Sequence, residues 1–486
     1  MTVGLRLEEA AWGLLHQAID LYRDHPRAVG QLRHQVARLE QPLRIAVAGP
    51  WRSGKSTVLN ALMGEEVAPV ERADGAFTWY EDGAEPHATA YPAGQPPQEL
   101  TVVKSATGLR VDLGWGAGDV RDIVVRWPTR ALRQVTLIDT PAVTSTVEQD
   151  RAPVWERVLR DSDAVLYLTR DARDSDLRVL ESGRDSVVGQ VAPVNVIMVL
   201  SRADEIGGGR IDGLLTARQL ARRHHRDPRV SALSVNVVAC SGMLGLAGRM
   251  LGESDFAALA AIAQVPRVEL DAHLISADRF LHGELPVRLE TAARAALLDR
   301  FGLFGVRLAT TLVRSGFDSR VKLSAELIRR SGLTELRESV TRCFIDRGDA
   351  LKARSALAAV ETLLRAEPTP GSAELAGAVE RILAGAHEFR ELRLLVALRN
   401  ARLGFDAELA AEAQRLVGGD GVGLAARLGV EHEATVQRLW EVATDAQWRW
   451  RDRAEDPLLP LAQRRGAQVV VRSCEGMIAE LVAGGR

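Results

Sequence analysis

The nine residues Gly49-Pro-Trp-Arg-Ser-Gly-Lys-Ser-Thr57 constrain this chain more than any other feature. They fit the pattern G-x-x-x-x-G-K-[S/T] and lie between a short apolar run, Ile45 to Ala48, and a helical one, Val58 to Leu62. A polyphosphate needs this order of elements. Glycines let backbone N–H groups converge on an anion, the following helix turns its positive end toward it, and a lysine reaches the terminal phosphates. Gly49, Trp51, Arg52, Ser53, Gly54, Lys55, Ser56 and Thr57 are therefore the expected wall of a phosphate site, with the Ser56 hydroxyl placed to hold Mg²⁺. A chance match in a glycine turn would need both flanking elements to be coincidental.

Val135-Thr-Leu-Ile-Asp139 is an apolar strand ending in an acid, the arrangement that binds Mg²⁺ through water. An Asp after a buried strand can equally be a loop cap, and only its order after the phosphate loop favours the metal. Thr140-Pro141 follows, not the Glu found in many ATPases, which points to the GTPase branch. Val196 to Leu200 runs into Ser201-Arg202-Ala203-Asp204, similar to the [N/T]-K-x-D segment that reads guanine. A carboxylate at Asp204 can accept from guanine N1–H and N2–H₂, which adenine lacks, while the flat guanidinium of Arg202 can lie along the ring. Ser241-Gly242, after the run Val235 to Ala239, would complete the base pocket.

At 486 residues the chain exceeds the ~100–200 of one ordinary core, so at least two bodies are expected. A formal net charge of −2 gives no electrostatic reason for a nucleic-acid partner. Cys240, Cys343 and Cys474 have no metal-ligand spacing and read as reduced thiols. Met1 to Leu21 carries Glu8, Glu9 and Asp20 and does not read as a secretory signal. The apolar run Phe256 to Ala263 is far short of the ~20 residues of a membrane span, so any membrane contact is expected to be peripheral. Residues 8–39 have helical spacing with a break near Pro26. From Leu43 to about Ser241 strand-like runs alternate with helices, which predicts a mostly parallel sheet covered on both faces. Beyond Leu251 helical periods dominate, with turns at Ser315-Gly316, Ser331-Gly332, Glu367 to Gly371, Gly418 to Gly423 and Asp456 to Pro460.

Together these motifs resemble the dynamin-like GTPases, and the chain is similar to the bacterial members that isoniazid induces in mycobacteria. The segments Leu200 to Asp212, Leu297 to Arg307 and Arg330-Ser-Gly-Leu-Thr-Glu-Leu336 extend the likeness over most of the chain. The resemblance implies an α/β P-loop GTPase domain, with a mostly parallel sheet and helices on both faces, plus a long all-α neck and trunk bundle. It divides the chain into an N-terminal helical arm (1–40) packing with the C-terminal helices, a GTPase domain (41–252) and a neck and trunk (253–486). It further implies GTP and GDP as ligands, Mg²⁺ at Ser56 and Asp139, and GTP hydrolysis that drives assembly. The same resemblance implies self-association, or association with a paralogous dynamin-like protein, and lipid remodelling at the inner face of the cell membrane, with no nucleic-acid partner.

The chain departs from the family pattern at three points. The loop that should supply a switch Thr reads Pro69-Val-Glu-Arg-Ala-Asp74-Gly-Ala-Phe-Thr78, so Asp74 falls at the Thr position and Thr78 is the only nearby hydroxyl, expected to begin a strand. Asp-Thr-Pro-Gly becomes Asp139-Thr-Pro-Ala142, which removes a flexible glycine. Trp51 and Arg52 replace the polar pair of eukaryotic dynamins, and Arg52 resembles the internal arginine finger of guanylate-binding proteins. The expected catalytic set is thus Arg52, Lys55 and Thr78. A rival reading is a GTP-binding, hydrolytically weak subunit supporting an active paralogue, which Asp74 and Ala142 favour.

Three further features carry weaker expectations. The tract Trp440…Trp448-Arg-Trp450 is expected to pack on the N-terminal arm, with a lipid headgroup layer as the alternative. His224-His225 reads as solvated surface, and Leu458-Leu459 as an apolar loop or a buried turn.

Overall fold

A computed structural model describes residues 7–68, 75–105, 108–112, 120–143, 151–183, 195–207, 209–399 and 403–484. Two helices, α1 (Leu7–Leu21) and α2 (Pro26–Glu40), lead into strand β1 (Leu43–Ala48). Pro26 opens α2, where its missing N–H costs nothing. Ala11, Leu14, Leu15 and Ala18 recur on one face of α1, and all four are buried.

After β1 come α3 (Lys55–Met63), β2 (Phe77–Asp82), β3 (His87–Pro92), β4 (Gln98–Ser105), β5 (Gly108–Asp112), β6 (Val120–Trp127) and β7 (Val135–Asp139). Then follow α4 (Arg151–Asp161), β8 (Ala164–Thr169), α5 (Asp174–Ser182), β9 (Val196–Ser201), α6 (Gly213–Arg226), α7 (Pro228–Ser231) and β10 (Asn236–Cys240). The strands form one sheet in the order β10-β9-β8-β1-β7-β2-β6-β3-β4-β5. From β10 to β7 all pairs are parallel, as are β2 and β6, while β2 runs antiparallel to β7 and the β3, β4, β5 edge is antiparallel. The strand beginning near Thr78 is present as β2; β3 and β5 were not signalled, since His87-Ala-Thr-Ala-Tyr-Pro has no Val or Ile and buries only alternate residues.

The remainder is helical: α8 (Gly242–Arg249), α9 (Glu253–Ala263), α10 (Arg267–His273), α11 (Ala277–His282), α12 (Thr291–Arg314), α13 (Arg320–Ser331) and α14 (Leu333–Cys343). They continue as α15 (Gly348–Ala366), α16 (Ser372–Gly385), α17 (His387–Arg399), α18 (Ala407–Leu416), α19 (Leu424–Leu428), α20 (Val436–Glu455) and α21 (Leu461–Gly484). Gly302 (φ 61) breaks α12, and all five expected turns fall between helices.

Two apolar cores lie on opposite faces of the sheet. One joins Ile45, Val47 and Tyr80 to Leu32 and Leu39 of α2 and to α14, α15 and the later helices. The other joins Ala46, Tyr167 and Leu200 to α8, α9, α12 and α13, so packing is continuous across residue 252. The arm packs on α15 and α16. A buried ion pair, Arg38 Nη2 to Asp163 Oδ1 at 2.9 Å, fixes it to the start of β8.

Two of the weaker expectations are corrected, and the open one at Leu458-Leu459 is decided. The Trp tract lies on α20, whose main partner is α21 and not the arm; Trp450 is buried edge-on to Phe405, while Trp440 and Trp448 face outward. His224 and His225 are partly buried, because α6 turns them inward: His224 lies 3.3 Å from Asp171, and burial, then the charges of Arg399 and Arg226, push His225 down to about 4. Leu458, between α20 and α21, is 91% exposed, so its loop is not a buried turn.

Candidate nucleotide site

The parallel strands β1, β7, β8, β9 and β10 end on one side of the sheet, the side where open α/β sheets bind ligands. The loops after β1, β7, β9 and β10 carry the residues singled out from the sequence. At Gly49 (φ 150) a Cβ would lie 2.2 Å from the Leu168 carbonyl oxygen, so no side chain fits where β1 leaves the sheet beside β8. Gly54 (φ 86) caps α3 in the left-handed region, and Arg52 adopts the same region at φ 58. A non-glycine residue held there is strained, a condition that concentrates at ligand sites.

Lys55 Nζ donates to the Gly49 and Pro50 carbonyls at 3.3 and 3.2 Å, with its pKa lowered by burial against the opposing pull of Asp139. Ser53 Oγ is buried and has no hydrogen-bond partner among the described residues, an orphaned donor in a loop built for anions. Trp51 is 65% exposed and Arg52 points outward beside it. Thr57 is the third residue of α3, in its first turn and partly buried.

Ser56 Oγ donates to Asp139 Oδ2 at 2.7 Å, which brings together the two expected metal-binding residues. Burial raises the Asp139 pKa, and Ser56, Lys55 and the Thr140 N–H pull it back. Hard oxygen donors beside a buried carboxylate fit Mg²⁺, and the donor set suits no softer metal. The Thr140 hydroxyl donates to Val47 O at 3.1 Å, and Val143 N–H to Gly49 O at 3.1 Å, which ties the loop after β7 to the phosphate loop. Thr78 is buried in β2 directly opposite Asp139, so the sheet holds its hydroxyl side chain on the Asp139 face. Asp74 lies outside the described residues.

The β9 and β10 ends carry the residues expected from the sequence to hold the base. The Ser201 hydroxyl donates to Thr169 O at 3.2 Å. Arg202 (φ 52) lays its stem over the phosphate loop, its Cγ 3.9 Å from where a Gly54 Cβ would stand, and pairs with Glu205 at 2.5 Å. Asp204 is partly buried beside Cys240, whose thiol burial pushes up to about 12. Ser241 is fully buried; its hydroxyl caps α8 and its N–H donates to Ser331 O at 2.8 Å. Gly242 touches α3 so closely that a Cβ would meet Val58 Cγ2 at 2.9 Å.

Two residues here were missed from the sequence. Glu205 anchors Arg202 and was legible as an acid three residues on. Tyr80, fully buried, with a hydroxyl that has no partner among the described residues and a pKa raised by burial and then by Asp139, carried no signal at all.

No protein-family model matches the chain. Over 485 residues it is 35% identical to the isoniazid-induced protein IniC of Mycobacterium tuberculosis, in strains CDC 1551 and H37Rv alike, across 97% of this chain and 98% of the relative. The chain belongs to the family of the isoniazid-induced protein IniC. Among solved structures, an oligomerised bacterial dynamin pair matches with a TM-score of 0.31 and 12% identity, over 98% of this chain and 75% of that one. The G domain of the T. maritima FeoB iron transporter matches with a TM-score of 0.20 and 16% identity, over 42% of this chain and 89% of that one. At scores this low neither likeness bears on the argument; the IniC family membership stands on the sequence match alone. No described helix is long and apolar enough to cross a membrane.

Proposed function

We propose that this IniC-family chain binds GTP with Mg²⁺ and hydrolyses it, using the cycle to associate and to act on a lipid bilayer from its surface. One observation carries the nucleotide reading: the phosphate loop, the Ser56–Asp139 pair and the Arg202–Asp204 segment emerge at one end of the same parallel strands, with Arg202 lying over Gly54. In this reading residues 41–252 carry the chemistry, 1–40 form an arm on the C-terminal helices, and 253–486 form the neck and trunk.

The roles follow from placement. The backbone N–H groups of the loop between Trp51 and Thr57 bind the phosphates, and Lys55 exchanges its two carbonyl partners for phosphate oxygens. Asp204 and Arg202 read and cover the base beside Ser201, Ser241 and Gly242. Ser56 directly, and Asp139 through water, would hold Mg²⁺, which when bound neutralises charge developing on the phosphates. Arg52, exposed on the loop, supplies the remaining positive charge.

A second reading, binding with little turnover, is favoured by Thr78: the candidate switch hydroxyl is locked inside β2 by pairing with both β6 and β7 and is not free to close on a ligand. Phosphate release from GTP, with ATP as control and with and without anionic liposomes, separates the two. Turnover specific to GTP that rises on liposomes supports the membrane-acting enzyme. Tight GTP binding without turnover supports a nucleotide-sensing subunit, whose partner would be a paralogous dynamin-like protein. Candidates for lipid contact among the described residues are the exposed Leu458 tip of the α20–α21 hairpin and the outward-facing Trp440 and Trp448.

A further inference from the structure

The segment Arg330-Ser-Gly-Leu-Thr-Glu-Leu336, singled out in the sequence, has no part in the chemistry above. The structure places it directly behind the base loop. Helices α13 and α14 meet at Gly332 (φ 81), where a Cβ would lie 2.1 Å from the O of Ala239, next to last in strand β10 before the loop. Ser331 O accepts the Ser241 N–H at 2.8 Å, and Ser331 is itself buried, its hydroxyl donating to Ile328 O at 2.7 Å and accepting from Leu333 N at 3.1 Å. A Cβ on Gly245, in the helix that follows the loop, would meet Leu333 and the Ser331 hydroxyl at 3.1–3.2 Å. From the other side, Arg218 of α6 donates to Arg329 O at 2.8 Å.

A buried backbone N–H must be paired, and no residue of the β10 loop takes that of Ser241; a carbonyl ninety residues further along the chain does. The loop's position is therefore set by the helix joint and not by the sheet alone. We infer that the Ser331-Gly332 joint is a positioning element of the guanine loop, so that base selectivity depends on the seat of α13 and α14. The inference rests on the proposed reading of Asp204, Ser241 and Gly242 as the base pocket. Gly332 fits because only a residue without Cβ can adopt φ 81 against the Ala239 carbonyl, and Gly245 because Leu333 leaves it no room.

The test uses the full chain and the N-methylanthraniloyl derivatives of GDP and ADP. Wild type should bind the GDP analogue in preference; if it binds both equally or neither, the guanine reading itself fails, whatever the variants do. Given wild-type preference, Gly245→Ala and Gly332→Ala should lower the GDP/ADP affinity ratio by about tenfold and speed GDP release, while Gly476→Ala, whose Cβ meets nothing within 4 Å, leaves it unchanged. Folding of each variant is checked by circular dichroism. Because coupling is reciprocal, the Leu336 amide, which donates to Gly332 O at 2.9 Å, should exchange more slowly in wild type when GDP is added, a readout that needs no variant. A folded Gly245→Ala protein with an unchanged ratio, or wild-type exchange at Leu336 indifferent to GDP, overturns the inference.

Discussion

Arg52 combines two properties that a solvent-facing side chain rarely has together: it is exposed, and its backbone sits in the left-handed region at φ 58. Holding an L-residue there costs roughly 1–2 kcal/mol, a cost that glycine escapes. The two properties can be separated by substitution. Arg52→Ala keeps the backbone strain and removes the guanidinium; Arg52→Gly removes both. If Arg52 neutralises charge during hydrolysis, both variants lose ~10³–10⁵ in turnover with GTP affinity nearly intact. Arg52→Gly should also be more stable than Arg52→Ala by about 1 kcal/mol in chemical denaturation. Equal turnover in wild type and Arg52→Ala would remove the finger role without touching the stability difference. At this scale the phosphate loop was legible because Gly49, Gly54, Lys55 and Ser56 stand at fixed spacing within one short run between a strand and a helix. The pairing of Arg202 with Glu205 lay within reach of the same local logic. Tyr80 and the tie of Ser241 to Ser331 were not, because each depends on which distant element lands beside it.

Among the elements, the later helices are held by charge as well as by packing. Glu391 on α17 is almost fully buried and faces Arg427 of α19, Arg347 before α15, His387 one turn earlier and Ser473 of α21. Burial alone would raise its pKa, but His387, Arg427 and Ser473 overcome that and hold it at about 2, against the ordinary 4.5. A carboxylate lowered in this way stabilises the fold above about pH 4.5, and that contribution fades as the pH falls toward 2. Glu391→Gln leaves the buried Arg347 and the partly buried Arg427 without their counter-charge and should cost about 3 kcal/mol at neutral pH. The difference from wild type should shrink steadily below pH 4.5 in urea titrations; a pH-independent difference would show that shape and not charge is at stake. Helices α1 and α2 and the turns between the later helices were readable from 3.6-residue spacing and glycine punctuation. Strands β3 and β5 of the sheet's antiparallel edge were not, since each holds a single β-branched residue, Thr89 and Val111, and they owe their strand form to pairing with neighbours.

For the whole molecule, the exposed Leu458 tip and the two cores make separate demands. If the tip enters a bilayer, Leu458→Asp should weaken liposome binding by about 10–100-fold, the equivalent of about 1.5–3 kcal/mol for one buried leucine, and leave GTP binding alone. The cores bear on what can fold. Composition and motif order suggested a nucleotide domain ending near residue 252, and the residues proposed for the chemistry all lie within 41–252. The packing does not stop there: one sheet face shares its core with Leu32 and Leu39 of the arm and with Leu333 and Leu336 of α14, and the other with Leu259, Phe304 and Leu327 of α9, α12 and α13. No sequence pattern could show this, because an amphipathic helix announces that it has an apolar face and not which sheet will cover it. A fragment of residues 41–252 would therefore expose apolar patches on both faces and leave the Ser241 N–H and Asp163 without Ser331 and Arg38. Expressed alone it should aggregate or unfold without a cooperative transition, whereas the full chain melts cooperatively and binds nucleotide. A soluble 41–252 fragment with a sharp melt and wild-type GDP affinity would mean that arm and trunk are only attached to a self-sufficient domain. It would also sink the dependence of the base loop on the helix joint, since the loop would then hold its place without α13 and α14.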